Sequence, residues 1–112
     1  MPTANRLVLE GVVQAPVQER VTPSGRQVVV FTLEYTAQAE LWGQERQEEL
    51  QVEITLPEPF DRRQPPRPGS KVRIEGRLIQ NVWTRDGERR FGRIMVMAET
   101  LIPLPPSEER KS

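Results

Sequence analysis

Residues 71–83, KVRIEGRLIQNVW, alternate polar and apolar side chains almost without interruption. Successive side chains of a β-strand point to opposite faces, so this period predicts a strand that has one face in a core. The outward face carries Arg73 and Arg77 and ends in Trp83, so it is basic and aromatic at once. The predicted core face consists of Val72, Ile74, Gly76, Leu78 and Val82.

The remaining sequence predicts more strands and no helix. Apolar alternation predicts strands in four other runs, which are residues 5–13, 26–35, 49–56 and 89–102. The tetrapeptide TPSG (22–25) and the pair Asp86–Gly87 are turn signals. Five strands in about 100 residues, joined mostly by hairpin turns, indicate an all-β domain that is a small closed barrel or a sandwich.

Two segments between the predicted strands lack a strand pattern. Residues 36–47 contain Gly43 and little alternation, so they predict a long hairpin loop between strands two and three. Residues 57–69 contain five prolines in thirteen residues, which predicts an irregular connection instead of a helix. We expect one domain over residues 1–104 and a flexible, polar, proline-rich tail over residues 105–112.

Composition excludes several classes of function. The 112 residues include no cysteine and no histidine, which removes disulfides, thiolate metal sites, the commonest general base and the commonest transition-metal ligand. Phosphate-binding loops and nucleophile motifs are also missing from the sequence, so we expect no catalysis, no cofactor and no metal. No apolar run approaches ~20 residues and the start does not resemble a secretion signal, so we expect a soluble, cytoplasmic protein without a membrane partner.

The formal net charge is zero, but the charges are unevenly distributed along the chain. Residues 34–58 hold seven acidic residues and one basic residue, whereas residues 62–93 hold ten basic and three acidic residues. One interpretation is a solvated surface with uneven spacing. Another is an acidic surface that docks a basic partner, next to a basic surface that binds an anionic one.

The basic and aromatic residues of the second half suggest nucleic-acid binding. Single strands are bound by a cationic groove that follows the phosphates and by aromatic rings on which bases stack. Arg89, Phe91 and Arg93 are alternate residues of strand five, so they are predicted to share one face of the sheet. Pairing of the hairpin would place them on parts of the sheet that neighbour Trp83. The predicted nucleic-acid-binding residues are Arg6, Trp42, Arg73, Arg77, Trp83, Arg85, Arg89, Arg90, Phe91 and Arg93.

Structural roles for the same aromatic residues remain open at this stage. Trp83 would also fit as a ring that packs over the barrel end or against a second subunit, and Phe91 would fit in the core. Trp42 lies in the predicted 36–47 loop, where a stacking role and a dimer contact are equally consistent with the sequence. Met95 and Met97 lie on the otherwise polar face of strand five, which suggests that another subunit covers part of that face.

Three segments resemble the bacterial single-stranded DNA-binding protein family: NRLVLEGVV with the TPSG turn, VVVFTLEY, and PGSKVRIEGRLIQNVWTRDG. The resemblance spans residues 5–102 and implies a five-stranded Greek-key OB-fold barrel. It further implies sequence-tolerant binding of single-stranded DNA in replication, replication restart or repair, by a homo-oligomer that is a dimer or a tetramer. Trp83 stands where the family has a base-stacking tryptophan, and Asn5 and Arg6 stand where it has a polar-basic start to strand one.

The sequence departs from the family in ways that affect function. Leu50, and a second position near Leu56, stand where the family usually has aromatic residues, and the proline-rich 57–69 segment stands where it commonly has a helix. The last residues of the sequence, SEERKS, do not resemble the acidic-aromatic tip of the family. In these respects the chain is similar to the shortened, dimeric primosomal replication protein N branch of the family. A primosome-type adaptor that acts through protein contacts and an RNA-binding OB domain therefore remain alternatives.

Overall fold

The computed structural model describes residues 3–60 and 65–105, and this part of the chain contains five strands and no helix. The all-β prediction is therefore confirmed. The described residues of the proline-rich connection, 58–60 and 65–70, carry neither strand nor helix, as predicted. The predicted flexibility of the tail concerns residues that, beyond Pro105, lie outside the described part. The strands are β1 (Leu7–Val21), β2 (Gln27–Leu41), β3 (Gln44–Pro57), β4 (Lys71–Arg85) and β5 (Glu88–Pro103).

The strands close into a barrel in the order β1-β2-β3-β5-β4, with β4 returning to pair with β1. All pairs are antiparallel except β3 and β5, which are parallel at Ile54↔Val96 and Thr55↔Met97. The first half of β1 pairs with β4 and the second half with β2, so one long strand joins both sides of the barrel. This is the five-stranded Greek-key barrel that the family resemblance implied, and it decides between the barrel and the sandwich that the strand pattern left open.

Ten apolar side chains form the core, and no polar or charged residue of the described part is buried with them. They come from the alternating positions of all five strands, which confirms the inward face predicted for the first half of β4. In β3 the alternation holds for Ile54 and Leu56, whereas Leu50 on the same side is 47% exposed. The core residues are Val13, Val29, Phe31, Leu33, Ile54, Leu56, Val72, Ile74, Val96 and Ala98.

Two inward-facing glycines lie where strand backbones approach each other closely. A Cβ atom at Gly76 would come within 3.0 Å of the carbonyl oxygen of Met97, and one at Gly11 would come as close to the carbonyl oxygen of Glu34. The ladder between β4 and β5 also shifts by one residue immediately before Gly76. Both glycines are therefore required by backbone packing and not by an unusual backbone angle.

The long loop predicted for residues 36–47 is wrong. β2 and β3 continue their pairing without interruption to Leu41↔Gln44, and only Trp42 and Gly43 form the turn. Both turn residues have positive φ angles, 53° and 77°, as a two-residue hairpin turn that matches strand twist requires. Alternation did not reveal these strand ends because the hairpin extends beyond the barrel and nearly all its residues from 40 to 51 are exposed.

The β4–β5 hairpin also extends beyond the barrel, and its Asp86–Gly87 turn is confirmed, with φ angles of 53° and 78°. Its extension corrects the predicted core face of β4. Leu78 and Val82 are exposed, because no further strand covers the hairpin at their level. The TPSG turn is confirmed by the hydrogen bond that the Gly25 N–H donates to the Thr22 carbonyl, at 2.8 Å.

We predict that Gly76→Ala lowers the free energy of unfolding by roughly 1–3 kcal/mol, the usual cost of forcing extra atoms into a packed region. The added methyl group would meet the β5 backbone, which moves less easily than a side chain. Chemical denaturation followed by far-UV circular dichroism measures the change.

Gly43→Asn is the matched control, because Gly43 has a positive φ of 77° with no atom near its missing Cβ, and asparagine tolerates that conformation. Equal stability of Gly76→Ala and the control would contradict the close approach of β4 and β5.

Candidate nucleic-acid interface

The outer face of the β4–β5 hairpin is the side that continues the outer surface of the barrel. Opposed residues of an antiparallel pair point to the same face, so the register determines which side chains meet there. Trp83 is directly opposite Arg90, Ile79 is opposite Met95, and Arg77 is opposite Met97. The hairpin therefore brings an indole, two arginines, two methionines and an isoleucine onto one face.

A β-bulge divides the predicted residues of β5 between two faces. Gln80 pairs with Ile94 but Val82 pairs with Phe91, so β5 has one more residue than β4 in this interval. Phe91 consequently shares the inner face of the hairpin with Val82, away from Trp83. Arg89, opposite Thr84, does share a face with Phe91 as predicted, but that face is the inner one and not the face of Trp83. Arg93 does not share it, because alternation counted along β5 does not continue through the bulge.

Trp83 lies against the backbone of β5 at Gly92. A Cβ atom at Gly92 would be 3.3 Å from the Cζ3 atom of the indole, so a larger residue would crowd the ring. The residue nevertheless remains 47% exposed. An indole that is fixed by its own hairpin and still half exposed presents the surface that base stacking requires.

Four of the predicted arginines form ion pairs with glutamates. The N···O distances are 3.1 Å for Arg77–Glu99, 3.3 Å for Arg90–Glu88 and 2.6 Å for Arg93–Glu53. Arg73 contacts Glu75 at 3.1 Å and Glu10 at 3.5 Å. All these arginines are at the surface, where an ion pair contributes only about 0–1 kcal/mol, so a phosphate group can compete with the carboxylate.

Three other predicted arginines have no carboxylate within ion-pair distance among residues 3–60 and 65–105. Arg85 lies next to the Asp86–Gly87 turn, and Arg89 lies beside Phe91 with its guanidinium 5.6 Å from the ring centroid. Arg6 precedes β1, where the Asn5 side chain fixes the chain by accepting from the Leu78 N–H (2.9 Å) and donating to its carbonyl (2.8 Å). Fold and turn geometry thus place, at both ends of the exposed part of β4, cations that have no carboxylate partner in the described part of the chain.

The barrel itself contributes a groove, which we call the outer groove. It is formed by two adjoining cavities of about 600 and 630 Å³, which share Thr22, Val28 and Met97 as lining residues. The β1–β2 turn forms one wall and the base of the β4–β5 hairpin forms the other. Its charged lining residues are Arg20, Arg26, Glu53, Glu58, Arg77, Arg93 and Glu99, and its polar ones include Thr55 and Asn81.

Sequence reasoning missed the residues that come from the far wall of the groove. Arg20 and Arg26 flank the TPSG turn, and this position next to a turn was the available signal. Arg26 contacts Glu58 at 3.2 Å, and Arg20 donates to the Gln18 side chain at 2.6 Å. Only closure of the barrel places this turn opposite Arg93 and Asn81.

Trp42 is not part of this arrangement. It lies at the tip of the other hairpin, between β2 and β3, and is 88% exposed. Glu40 and Glu45 are directly opposite each other beside it, and Glu48 and Glu49 follow along β3. This acidic surrounding repels phosphate, so the geometry favours an assignment of Trp42 to a contact other than nucleic acid.

Within the described ranges no group of three or more acidic, histidine or cysteine side chains has an arrangement that could hold a metal ion. The described part also contains no helix long and apolar enough to span a membrane.

Comparison with solved structures gives three informative similarities. A deletion variant of the single-stranded DNA-binding protein from Thermus aquaticus is 25% identical with a TM-score of 0.75, and the match covers 94% of this chain. The single-stranded DNA-binding protein of Plasmodium falciparum, solved with single-stranded DNA, is 16% identical (TM-score 0.71; 94% of this chain and 98% of that one). PriB from Ralstonia solanacearum is 24% identical (TM-score 0.65; 90% and 98%). The two similarities below 25% identity show the shared fold alone.

The chain spans 52% of the Thermus protein that it matches. A comparison with curated proteins finds no match. Among protein-family models, the single-strand binding protein family matches residues 4–104, which is nearly the whole chain. With its closed five-stranded OB-fold barrel, the chain belongs to the single-strand binding protein family.

Proposed function

We propose that this protein binds single-stranded DNA without strong sequence preference, along the outer groove and the outer face of the β4–β5 hairpin. The observation that carries the proposal is Trp83, a half-exposed indole packed on Gly92 and directly opposite Arg90. Trp83 stacks on a base, while the arginines of the hairpin and groove contact phosphates on either side. Neither contact distinguishes one base from another, which accounts for the lack of sequence preference.

The cellular role that fits this activity is replication, replication restart or repair in the cytoplasm, with replication or primosome proteins as partners. Membership of the single-strand binding protein family supports this role. The proposed assembly is a homodimer or a homotetramer. It is supported by the inner face of the β4–β5 hairpin, which leaves Leu78, Val82, Phe91 and Ile94 exposed on the isolated chain.

A second candidate function is docking of a basic protein by the β2–β3 hairpin. The exposed Trp42, beside the opposed pair Glu40 and Glu45, favours it, because aromatic anchors with a charged rim are typical of protein interfaces. The two activities use different hairpins and are compatible in one chain. An RNA-binding OB domain would use the same groove, so oligo-rU belongs beside oligo-dT in every titration.

We predict that oligo-dT quenches the Trp83 fluorescence and that the binding constant falls steeply with salt, because phosphate contacts release counterions. The Trp42→Phe variant leaves Trp83 as the single tryptophan, so the signal is unambiguous. Titrations at two salt concentrations measure both quantities. An unchanged spectrum together with unchanged anisotropy of a labelled oligonucleotide would refute the proposed function.

We predict that Trp83→Ala weakens oligo-dT binding by about 5- to 150-fold at fixed salt, which corresponds to the 1–3 kcal/mol contributed by a stacked base. Fluorescence anisotropy of labelled oligo-dT measures the affinity. Trp42→Ala is the control, and its affinity stays near that of the wild type. If Trp83→Ala instead unfolds or changes the oligomeric state, the indole has a structural role.

We predict that Arg85→Gln reduces the slope of log binding constant against log salt by about 0.7, the value for one phosphate contact to a single strand. Arg85 is the informative choice because it has no ion-pair partner in the described part of the chain. Arg46→Gln, on the acidic β2–β3 hairpin, is the matched control and leaves the slope unchanged. Equal slopes for both variants would place the phosphate path away from the hairpin turn.

A further inference from the structure

Glu53 is a carboxylate inside the groove that we assign to a polyanion. It lies on the outer face of β3 and lines the outer groove together with Thr55, Asn81 and Arg93. Its side chain is only 22% exposed, whereas the side chain of Arg93 is 77% exposed. The carboxylate is thus part of the groove floor, and the guanidinium extends above it.

The two side chains meet where β3 and β5 separate. The parallel pairing of these strands is limited to Ile54↔Val96 and Thr55↔Met97, and Glu53 precedes the first of these pairs. Arg93 belongs to the bulge of β5, and its Nη2 donates a hydrogen bond of 2.6 Å to Glu53 Oε1. The ion pair therefore crosses the gap between two diverging strands, in the path proposed for DNA.

A phosphate that approaches Arg93 must compete with this carboxylate. Arg93 is the only described ion-pair partner of Glu53, so a guanidinium that turns to a phosphate leaves the half-buried carboxylate without its cation. The carboxylate also repels the phosphate directly, because charges at a few ångströms interact appreciably even in water. Both effects reduce the affinity for a single strand.

We propose that Glu53 is a restraint on nucleic-acid affinity: it holds Arg93 in the free protein and must release it when a strand binds. This inference rests on the proposed function. It assigns a role in tuning affinity to an acidic residue, on a surface where arginines and the Trp83 indole of the adjacent hairpin supply the attraction. Binding then exchanges the Arg93–Glu53 ion pair for a contact between Arg93 and a phosphate. The net contribution of Arg93 to the affinity is therefore small.

The test is Glu53→Gln, which keeps the size of the side chain and removes its charge. We expect oligo-dT binding to tighten by about three- to tenfold at low salt, from the weak surface ion pair and the direct repulsion together. We also expect the slope of log binding constant against log salt to steepen by up to about 0.7. In the wild-type protein, the Glu53 carboxylate takes up a cation from solution when Arg93 leaves it for a phosphate, and a glutamine does not. Anisotropy of labelled oligo-dT at several salt concentrations measures both values.

A double-mutant cycle separates this mechanism from a general loss of negative charge. In the Arg93→Gln background, Glu53→Gln should increase the affinity for oligo-dT by at most half as much as it does in the wild-type background. The reason is that no arginine is present for the substitution to release. Glu48→Gln on the β2–β3 hairpin removes one charge outside the groove and should leave the affinity nearly unchanged. Glu53→Thr, which keeps a residue suited to a strand, should reproduce the gain if the glutamine variant is poorly folded.

An unchanged or weaker affinity of Glu53→Gln, or an equal gain in both backgrounds, would overturn the inference. A weaker affinity together with a lower melting temperature would show that the pair joins β3 to β5 structurally. If wild-type protein does not bind oligo-dT at all, the proposed function fails, and the inference fails with it. If wild-type protein binds and the variants do not differ from it, the inference alone fails.

Discussion

Closure of the barrel depends on backbone meeting backbone at two glycines. Gly76 lets β4 approach the β5 carbonyl of Met97, and Gly11 lets β1 approach the β2 carbonyl of Glu34. These contacts allow β1 to pair with β4 over its first half and with β2 over its second half. The same closure aligns the outer surfaces of β2, β3, β5 and β4 and sets the β1–β2 turn across from the β4–β5 hairpin. The close approach of the strands at these two glycines therefore contributes to the geometry of the outer groove.

The sequence predicted the parts of the fold in which side-chain burial and strand period coincide. The second half of β3 and the first half of β4 alternate because one face is in the core, and the Asp86–Gly87 turn has its own conformational signal. The ends of the β2–β3 hairpin were not predictable in this way, since backbone hydrogen bonds hold them and both faces are exposed. The bulge in β5 was equally hidden, because an extra residue changes the facing of Phe91 without changing the composition of the strand.

The candidate site shows the same division between local and long-range information. Trp83 and its neighbouring arginines were found from one strand and one turn, and the structure places Arg90 opposite Trp83. The acidic partners were not found, since Glu53 and Glu99 reach Arg93 and Arg77 across strand pairs that are 40 and 22 residues apart. A count of basic residues thus describes the composition of the face, whereas its electrostatic potential depends on which glutamates the register brings next to them.

Trp42 also has a consequence for stability. Its φ of 53° lies in the left-handed region, where a residue with a bulky side chain is strained by about 1–2 kcal/mol relative to glycine or asparagine. The adjacent Glu40–Glu45 pair adds repulsion at the same turn. Asp86 has the same φ in the β4–β5 turn, but aspartate tolerates it better than tryptophan does, so the tip of the β2–β3 hairpin is the more strained of the two turns. The exposed indole of Trp42 therefore lowers the local stability of the β2–β3 turn.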